Sequence, residues 1–302
     1  MHMDTSAIVS HTLPDPRRHS EAGAPTSSNM VMYATADGGY HYPNHPTPYL
    51  FLCNFSSIGY YRLNRKRIQT AHRLFYFLNK GDELEICFPR KQNTETLLVL
   101  FDEQLVREAA YASSHTCAYL LEYPYAEAAF TLEVPSIPFL SDSVLTATLD
   151  SFRYGRRQRS FNVPSFVGEV LGSLLRTCRA ATSDMDRLTS KKSATRAELL
   201  KRLTIARSFM EDNALCPVTI EQMAKEACLN RFYFIELFRT VYGHTPHQYL
   251  RRIQLGNAYS LLKTGHHSVG SVCHMVGFQS MGSFSNLFKK QYGCLPSSLG
   301  KI

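Results

Sequence analysis

In the last third of the chain, large apolar residues recur four positions apart. Phe234, Phe238 and Tyr242 are followed by Gly243 and then Pro246, and the same pattern returns as Phe284, Phe288, Tyr292, Gly293 and Pro296. All five positions are offset by 50 residues; Leu287 likewise answers Leu237, and Lys289 answers Arg239. A spacing of four places the three aromatic rings on one buried helical stripe. A glycine that tolerates positive φ then stops the helix, and the proline prevents continuation and opens the next one. A pattern copied at fixed offset implies a copied structural unit.

Each copy is preceded by a shorter amphipathic stretch. In the first, Thr219 with Gln222 three positions later spells a capping box for a helix from Ile220 to Ala227, Ala224 is small enough for a close crossing, and Asn230 caps the next helix after the turn Cys228-Leu229. In the second, Ser268 caps Val269 to Val276, Cys273 is the small residue, Gly277-Phe278 is the turn and Ser280 the next cap. Short helix, tight turn and second helix is the helix-turn-helix layout, whose second helix is offered to the major groove. Between the copies, Pro246 to about Lys263 predicts one long helix with Tyr249, Leu250, Ile253, Leu255, Ala258, Leu261 and Leu262 on its buried face. Such a strut can hold two recognition helices on successive grooves, about 34 Å apart.

The first two thirds alternate differently. Residues 1–46 are rich in Pro, Ser, Thr and His and predict a disordered tail. From Tyr49 to about Val134 the chain predicts short strands: Tyr49 to Cys53, a hairpin turning at Asn64-Arg65-Lys66, Leu74 to Leu78, Glu83 to Phe88, and Leu97 to Phe101 before a short helix capped by Asp102. Strands so spaced suggest a small barrel or sandwich, in which Tyr60, Tyr61, Phe75 and Phe77 are candidates for lining the interior. Two apolar stripes follow, Val144 to Phe152 and Phe166 to Leu175, the second hydrophobic enough to pack on the strands and on a second subunit. Between them Arg153 to Arg159 forms a basic loop, and Ala180 to Ala194 reads as a linker.

Charge sharpens this division. The net charge is +8; residues 196–302 hold 13 Lys/Arg against 6 Asp/Glu, and no acidic residue follows Glu236. A region stripped of carboxylates suits a polyanion. The eight cysteines are scattered without a CxxC, so neither zinc nor a disulfide framework is expected, and a reducing cytoplasm is. No apolar run is long enough for a membrane span, and the first residues do not read as a secretory signal.

The stretch from Ala227 to Lys263, followed by Val276 to Pro296, resembles the DNA-binding domain of the AraC/XylS family of bacterial transcription regulators. The resemblance covers about a hundred residues. It implies an α+β protein: an N-terminal cupin-like β-barrel with dimerisation helices at 47–181, a linker at 182–195, and an all-α domain at 196–302 with seven helices and two helix-turn-helix units. Carried over by residue, it implies groove-facing sets Arg231, Phe232, Ile235 and Glu236, then Met281, Gly282, Ser283, Ser285 and Asn286. Arg239, Arg251, Arg252, Lys289 and Lys290 are the implied phosphate contacts, which position without reading sequence. The implied partners are double-stranded promoter DNA, RNA polymerase, a small-molecule effector and a second copy of the chain.

The pattern also departs from the family. Where Arg is common two positions before the second Phe, this chain has Glu236 and Asn286, and Arg is the strongest reader of guanine. Cys228 occupies a turn position where Gly is common, which costs on the order of 1 kcal/mol if φ is positive. Gly256 stands where a charged residue is expected, and Gly270 weakens the short helix of the second copy.

Three functions compete: a ligand-responsive regulator, expected to be an activator; a co-regulator that has lost specific readout and works through a protein partner; and a cupin-type metal enzyme. The last needs two or three His and a carboxylate converging, whereas the strand region offers His72 and His115 without local HxH spacing, and Pro43 separates His41 from His45. No cofactor, metal or catalytic residue is expected.

Overall fold

The computed structural model describes residues 7–10, 29–68, 70, 71, 73–115, 119, 132–155, 161–190 and 192–299. The chain divides into two compact units, Met1–Ser183 and Asp184–Ile302. His72, residues 156–160 of the basic loop and most of the expected tail lie outside the described residues.

The first unit is built on strands β1 (Ala7–Ser10), β2 (Asn29–Pro46), β3 (Tyr49–Asn54), β4 (Tyr60–Leu63), β5 (Lys66–Ile68), β6 (Leu74–Leu78), β7 (Glu83–Phe101) and β8 (Phe139–Leu140). Residues 29–46, expected in the disordered tail, instead form β2, which pairs antiparallel with β7 from Met30↔Leu100 to Pro46↔Glu83. The sequence reading missed this strand because its Pro, Gly and His suggest a loop. Its apolar start, Met30 to Ala34, packs against the strongly strand-forming end of β7, and irregularities at Ala36/Gly38 and Tyr42/His45 absorb the poorer residues. The two strand segments expected at 83–88 and 97–101 are one strand. Its first half pairs β4 and its second half pairs β3.

The hairpin expected at Asn64 is present. Asn64 and Arg65 both take positive φ (50° and 67°) between the paired residues Leu63 and Lys66, as a two-residue I′ turn requires. Alternation along β3 and β6 sends Leu50, Leu52, Tyr76 and Leu78 into one core together with Tyr61, Leu84, Ile86 and Phe88. Phe51, Phe75 and Phe77 go to the other face, where Phe75 stacks on Phe139 and Phe77 meets Phe101 edge-on. The four aromatics expected along one interior are therefore divided. Tyr61 packs in the first core, Tyr60 is half-exposed under Arg62 and Arg67, and Phe75 and Phe77 face away. Among the described residues the strand order runs β1-β2-β7-β3-β6-β8, with β4 between β5 and β7, and does not close on itself.

Helix α1 (Glu103–Ser114) starts at Asp102, whose carboxylate accepts from the N–H groups of Gln104 and Leu105. Helices α2 (Ser143–Gly155) and α3 (Val163–Asp186) follow. On α2, Phe152 stacks on Phe166 of α3 and meets Tyr33 of β2, while Arg153 forms a bidentate pair with Glu95 of β7 (both 2.8 Å). The expected linker at 182–195 is largely helical: α3 continues to Asp186 and the next helix starts at Ser193.

The second unit contains α4 (Ser193–Asp212), α5 (Ile220–Glu226), α6 (Arg231–Tyr242), α7 (Pro246–Lys263), α8 (Val269–Met275) and α9 (Met281–Tyr292). A single 3₁₀ turn, Pro296–Ser298, stands among the described residues where a seventh helix was implied.

Candidate nucleic-acid interface

The two copies are assembled from capped helices. Thr219 and Gln222 form the reciprocal capping box of α5, with Thr219 Oγ1 accepting at 3.2 Å and Gln222 Oε1 accepting at 2.8 Å. Asn230 Oδ1 accepts from the Tyr233 N–H (2.9 Å) to start α6, and Ser268 and Ser280 do the same for α8 and α9 (3.1 and 3.3 Å). The second helices of both copies, α6 and α9, end in left-handed glycines: Gly243 (φ 72°) donates to Arg239 O and Gly293 (φ 74°) to Lys289 O. A second capping box, Thr245 with Gln248, launches the strut α7, whose 18 residues span about 27 Å. Every cap read from the sequence is in place because each depends on residues only two to four positions apart.

The turns differ by one residue. Thr219 and Ser268 cap the leading helices 49 positions apart, whereas Asn230 and Ser280 are 50 apart; the second turn carries the additional Gln279. Cys228 takes φ 50°, the strained conformation foreseen for it, while Gly277 takes φ 82° in the second turn. An arginine braces each turn: Arg202 of α4 donates to Cys228 O (3.1 Å), and Arg251 of α7 lies over the Phe278 ring at 4.4 Å.

On α6, Phe234, Leu237, Phe238 and Val241 are buried, so Phe232, Glu236 and Arg239 project from the opposite face with Ile235 half-buried beside them. Phe232 is 80% exposed, extreme for a phenylalanine. Arg231 sits to one side, where its Nη1 donates to Glu221 (2.8 Å) and its guanidinium lies 5.9 Å from the Phe232 ring. On α9, Phe284 and Phe288 are buried. Met281, Gly282, Ser283, Asn286, Lys289 and Lys290 are exposed, and Ser285 is half-buried. The position of Phe232 is therefore occupied in the second copy by Gly282, where an added Cβ would have no neighbour closer than Ser280 Oγ at 3.8 Å.

Not every candidate is equally free. Arg239 and Arg252 are exposed, and Arg252 Nη1 contacts His244 Nε2. Arg251 is half-buried: its Nη1 bonds Gln254 Oε1 (2.9 Å), and burial lowers its pKa from the usual guanidinium value. Sequence reasoning passed over Gln254, a buried polar residue in the strut. The signal was its place four positions from both Leu250 and Ala258, on the apolar stripe.

A second buried polar group holds the first copy. Arg207 of α4 lies 5.4 Å from the Tyr242 and Tyr249 rings, donates to Tyr249 OH (2.7 Å) and pairs with Glu211 (3.3 Å). Tyr249 OH in turn donates to Glu211 at 2.6 Å. Burial opposes the Arg207 charge, but Tyr249, Tyr242 and Glu211 outweigh it and raise the pKa; burial pushes the Tyr242 hydroxyl up to about 12. Among the described residues no three His, Cys, Asp or Glu side chains come together as a metal site.

The helix-turn-helix domain family matches residues 223–301. Residues 223–301 are a helix-turn-helix domain of the AraC type. The chain is 36% identical across 76 residues to the HTH-type transcriptional regulator AlkR of Acinetobacter baylyi, covering 25% of each chain. It is 33% identical across 89 residues to the virulence regulon transcriptional activator VirF of Yersinia enterocolitica, covering 30% of this chain and 33% of that one. The match thus spans about a quarter to a third of these relatives. A solved transcriptional regulator with an AraC-type DNA-binding domain, from Chromobacterium violaceum, aligns at 24% identity over 36% of this chain and 94% of its own, with a TM-score of 0.32.

Proposed function

We propose that the chain is a ligand-responsive transcription regulator that binds promoter DNA through α6 and α9. The observation that carries this reading is the duplicated, capped helix-turn-helix unit with exposed outward helix faces, followed from Val241 onward by a stretch without an acidic residue. Phe232, Ile235 and Glu236 face one groove segment beside Arg231. Met281, Gly282, Ser283, Ser285 and Asn286 face the next. Apolar Phe232 suits a thymine methyl, Glu236 a cytosine amino group and Asn286 an adenine edge. Arg239, Arg252, Lys289 and Lys290 supply phosphate contacts.

The N-terminal residues 47–181 are proposed as a cupin-like sensing fold whose helices α2 and α3 dimerise, with 182–195 as the connection to the DNA-binding domain at 196–302. The antiparallel pairing of β3 and β4 with β7 supports the fold, and an open groove of about 410 Å³ lined by Ser57, Gly59, Arg67, Ile68 and Thr70 offers a place for an effector. Effector binding would shift how paired DNA-binding domains meet their half-sites and RNA polymerase. A cytoplasmic protein without catalysis is part of this reading; no helix among the described residues is long and apolar enough to cross a membrane.

The test is binding of the full chain to duplexes enriched from a random pool. With four phosphate contacts per DNA-binding domain, log affinity should fall against log salt with a slope of about −3.6 for each domain engaged. Arg252→Ala should weaken all sequences alike, and Asn286→Ala should change the preferred sequence. Binding of promoter and random DNA with equal affinity would favour the co-regulator, which Glu236 and the tied-up Arg231 motivate.

A further inference from the structure

We infer that Arg251 and Gln254 are positioning residues that set the relative placement of the two recognition helices, and that Arg251 is not a phosphate contact. The inference rests on the DNA-binding reading above. Gln254 is 3% exposed and is the one polar side chain among the buried residues of the strut α7. Both ends of its amide are engaged. Nε2 donates to Ala214 O (2.9 Å) in the segment leading from α4 to the first copy, and Oε1 accepts from Arg251. Arg251 then reaches the second copy, stacking on Phe278 at 4.4 Å with its Nη1 3.5 Å from Gly277 O. Gly277 completes the junction, because a Cβ there would lie 3.0 Å from Gln254 Nε2.

One connected path, Ala214–Gln254–Arg251–Gly277/Phe278, therefore crosses the strut from the segment that leads α4 into the first copy to the turn that precedes α9. A helix by itself sets the distance between its ends. Rotation of the second copy about that helix is set by side-chain contacts, and these are directional: a planar amide, a planar guanidinium and an aromatic face. An arginine stacked and bonded in this way must give up those contacts to reach a phosphate. Two probes held rigidly read only sites whose spacing matches them, since one base pair displaces a subsite by 3.4 Å along and about 34° around the duplex.

The experiment uses the full chain, a selected duplex, and versions with the two subsites moved one or two base pairs apart or together. The wild-type chain should lose about tenfold in affinity per base pair of misplacement, the scale of one mismatched contact. Arg251→Ala and Phe278→Leu should flatten that profile to about threefold and leave the salt slope unchanged, while Arg251→Lys should not restore the profile, because it lacks the planar face. Gln254→Met, which keeps the volume if Gln254→Ala unfolds, should flatten it too. A salt slope reduced by about 0.9 in Arg251→Ala, with the spacing profile intact, overturns the inference and makes Arg251 a phosphate contact. A wild-type chain that selects no two-part site overturns the DNA-binding reading itself.

Discussion

The two helix-turn-helix copies share their aromatic pattern, caps and terminal glycines, yet they are held by different forces. In the first, α4 covers the unit: Arg202 braces its turn, and Arg207 joins Glu211, Tyr242 and Tyr249 in a half-buried polar network. In the second, apart from Arg251 at its turn, the packing is apolar. Tyr259 stacks on Phe288, and Tyr292 packs tilted against both, beside Leu255, Leu262 and Phe278. The consequence shows at a matched pair. Leu237 is 8% exposed under the additional cover, whereas Leu287 is 38% exposed. A repeated sequence motif thus specifies a helix and its inner stripe, while the neighbours each copy acquires decide its energetics.

The largest test of this contrast is Arg207→Ala. It removes the shared donor from Tyr249 and Glu211 and should destabilise the second unit by about 2 kcal/mol in urea unfolding, since hydrogen bonds to charged groups contribute about 1.5–3 kcal/mol and this one is part-exposed. A loss near zero would show that the polar network adds nothing beyond apolar packing.

Next in size, Gly277→Ala combines a disfavoured φ of 82° with a contact at 3.0 Å to Gln254, and should cost about 1–2 kcal/mol. The mirror experiment, Cys228→Gly, should stabilise by at most about 1 kcal/mol by relieving φ 50° in the first turn, the gain being reduced by the freedom glycine adds to the unfolded chain. Opposite signs at the two turns would confirm that the same left-handed conformation is met with strain in one copy and without it in the other.

The smallest stability effect is expected at Phe232→Ala, within about 0.5 kcal/mol because the ring is exposed. Its effect should appear in readout instead. Replacing thymine by uracil in the first subsite should weaken the wild-type chain about fourfold per methyl lost, on the scale of one buried CH₂, and leave Phe232→Ala indifferent. Equal sensitivity in both proteins would remove Phe232 from base recognition. At the matched position the second copy has Gly282, so uracil substitution in its subsite serves as the internal control.

The sequence alone determined the helix-turn-helix pair: the caps at Thr219, Asn230, Ser268 and Ser280, the ends at Gly243 and Gly293, and the outward faces of α6 and α9. These follow from contacts within one helical turn, which residue spacing encodes directly. Tertiary structure decided what depends on partners far along the chain. Strand β2 exists because β7, more than forty residues away over much of the ladder, supplies its hydrogen bonds. Arg251 turns inward because Phe278 and Gly277 of the second copy bring a ring face and a carbonyl to it. Spacing says which side of a helix a charge occupies; only the packed neighbours decide whether that charge meets solvent or a ring.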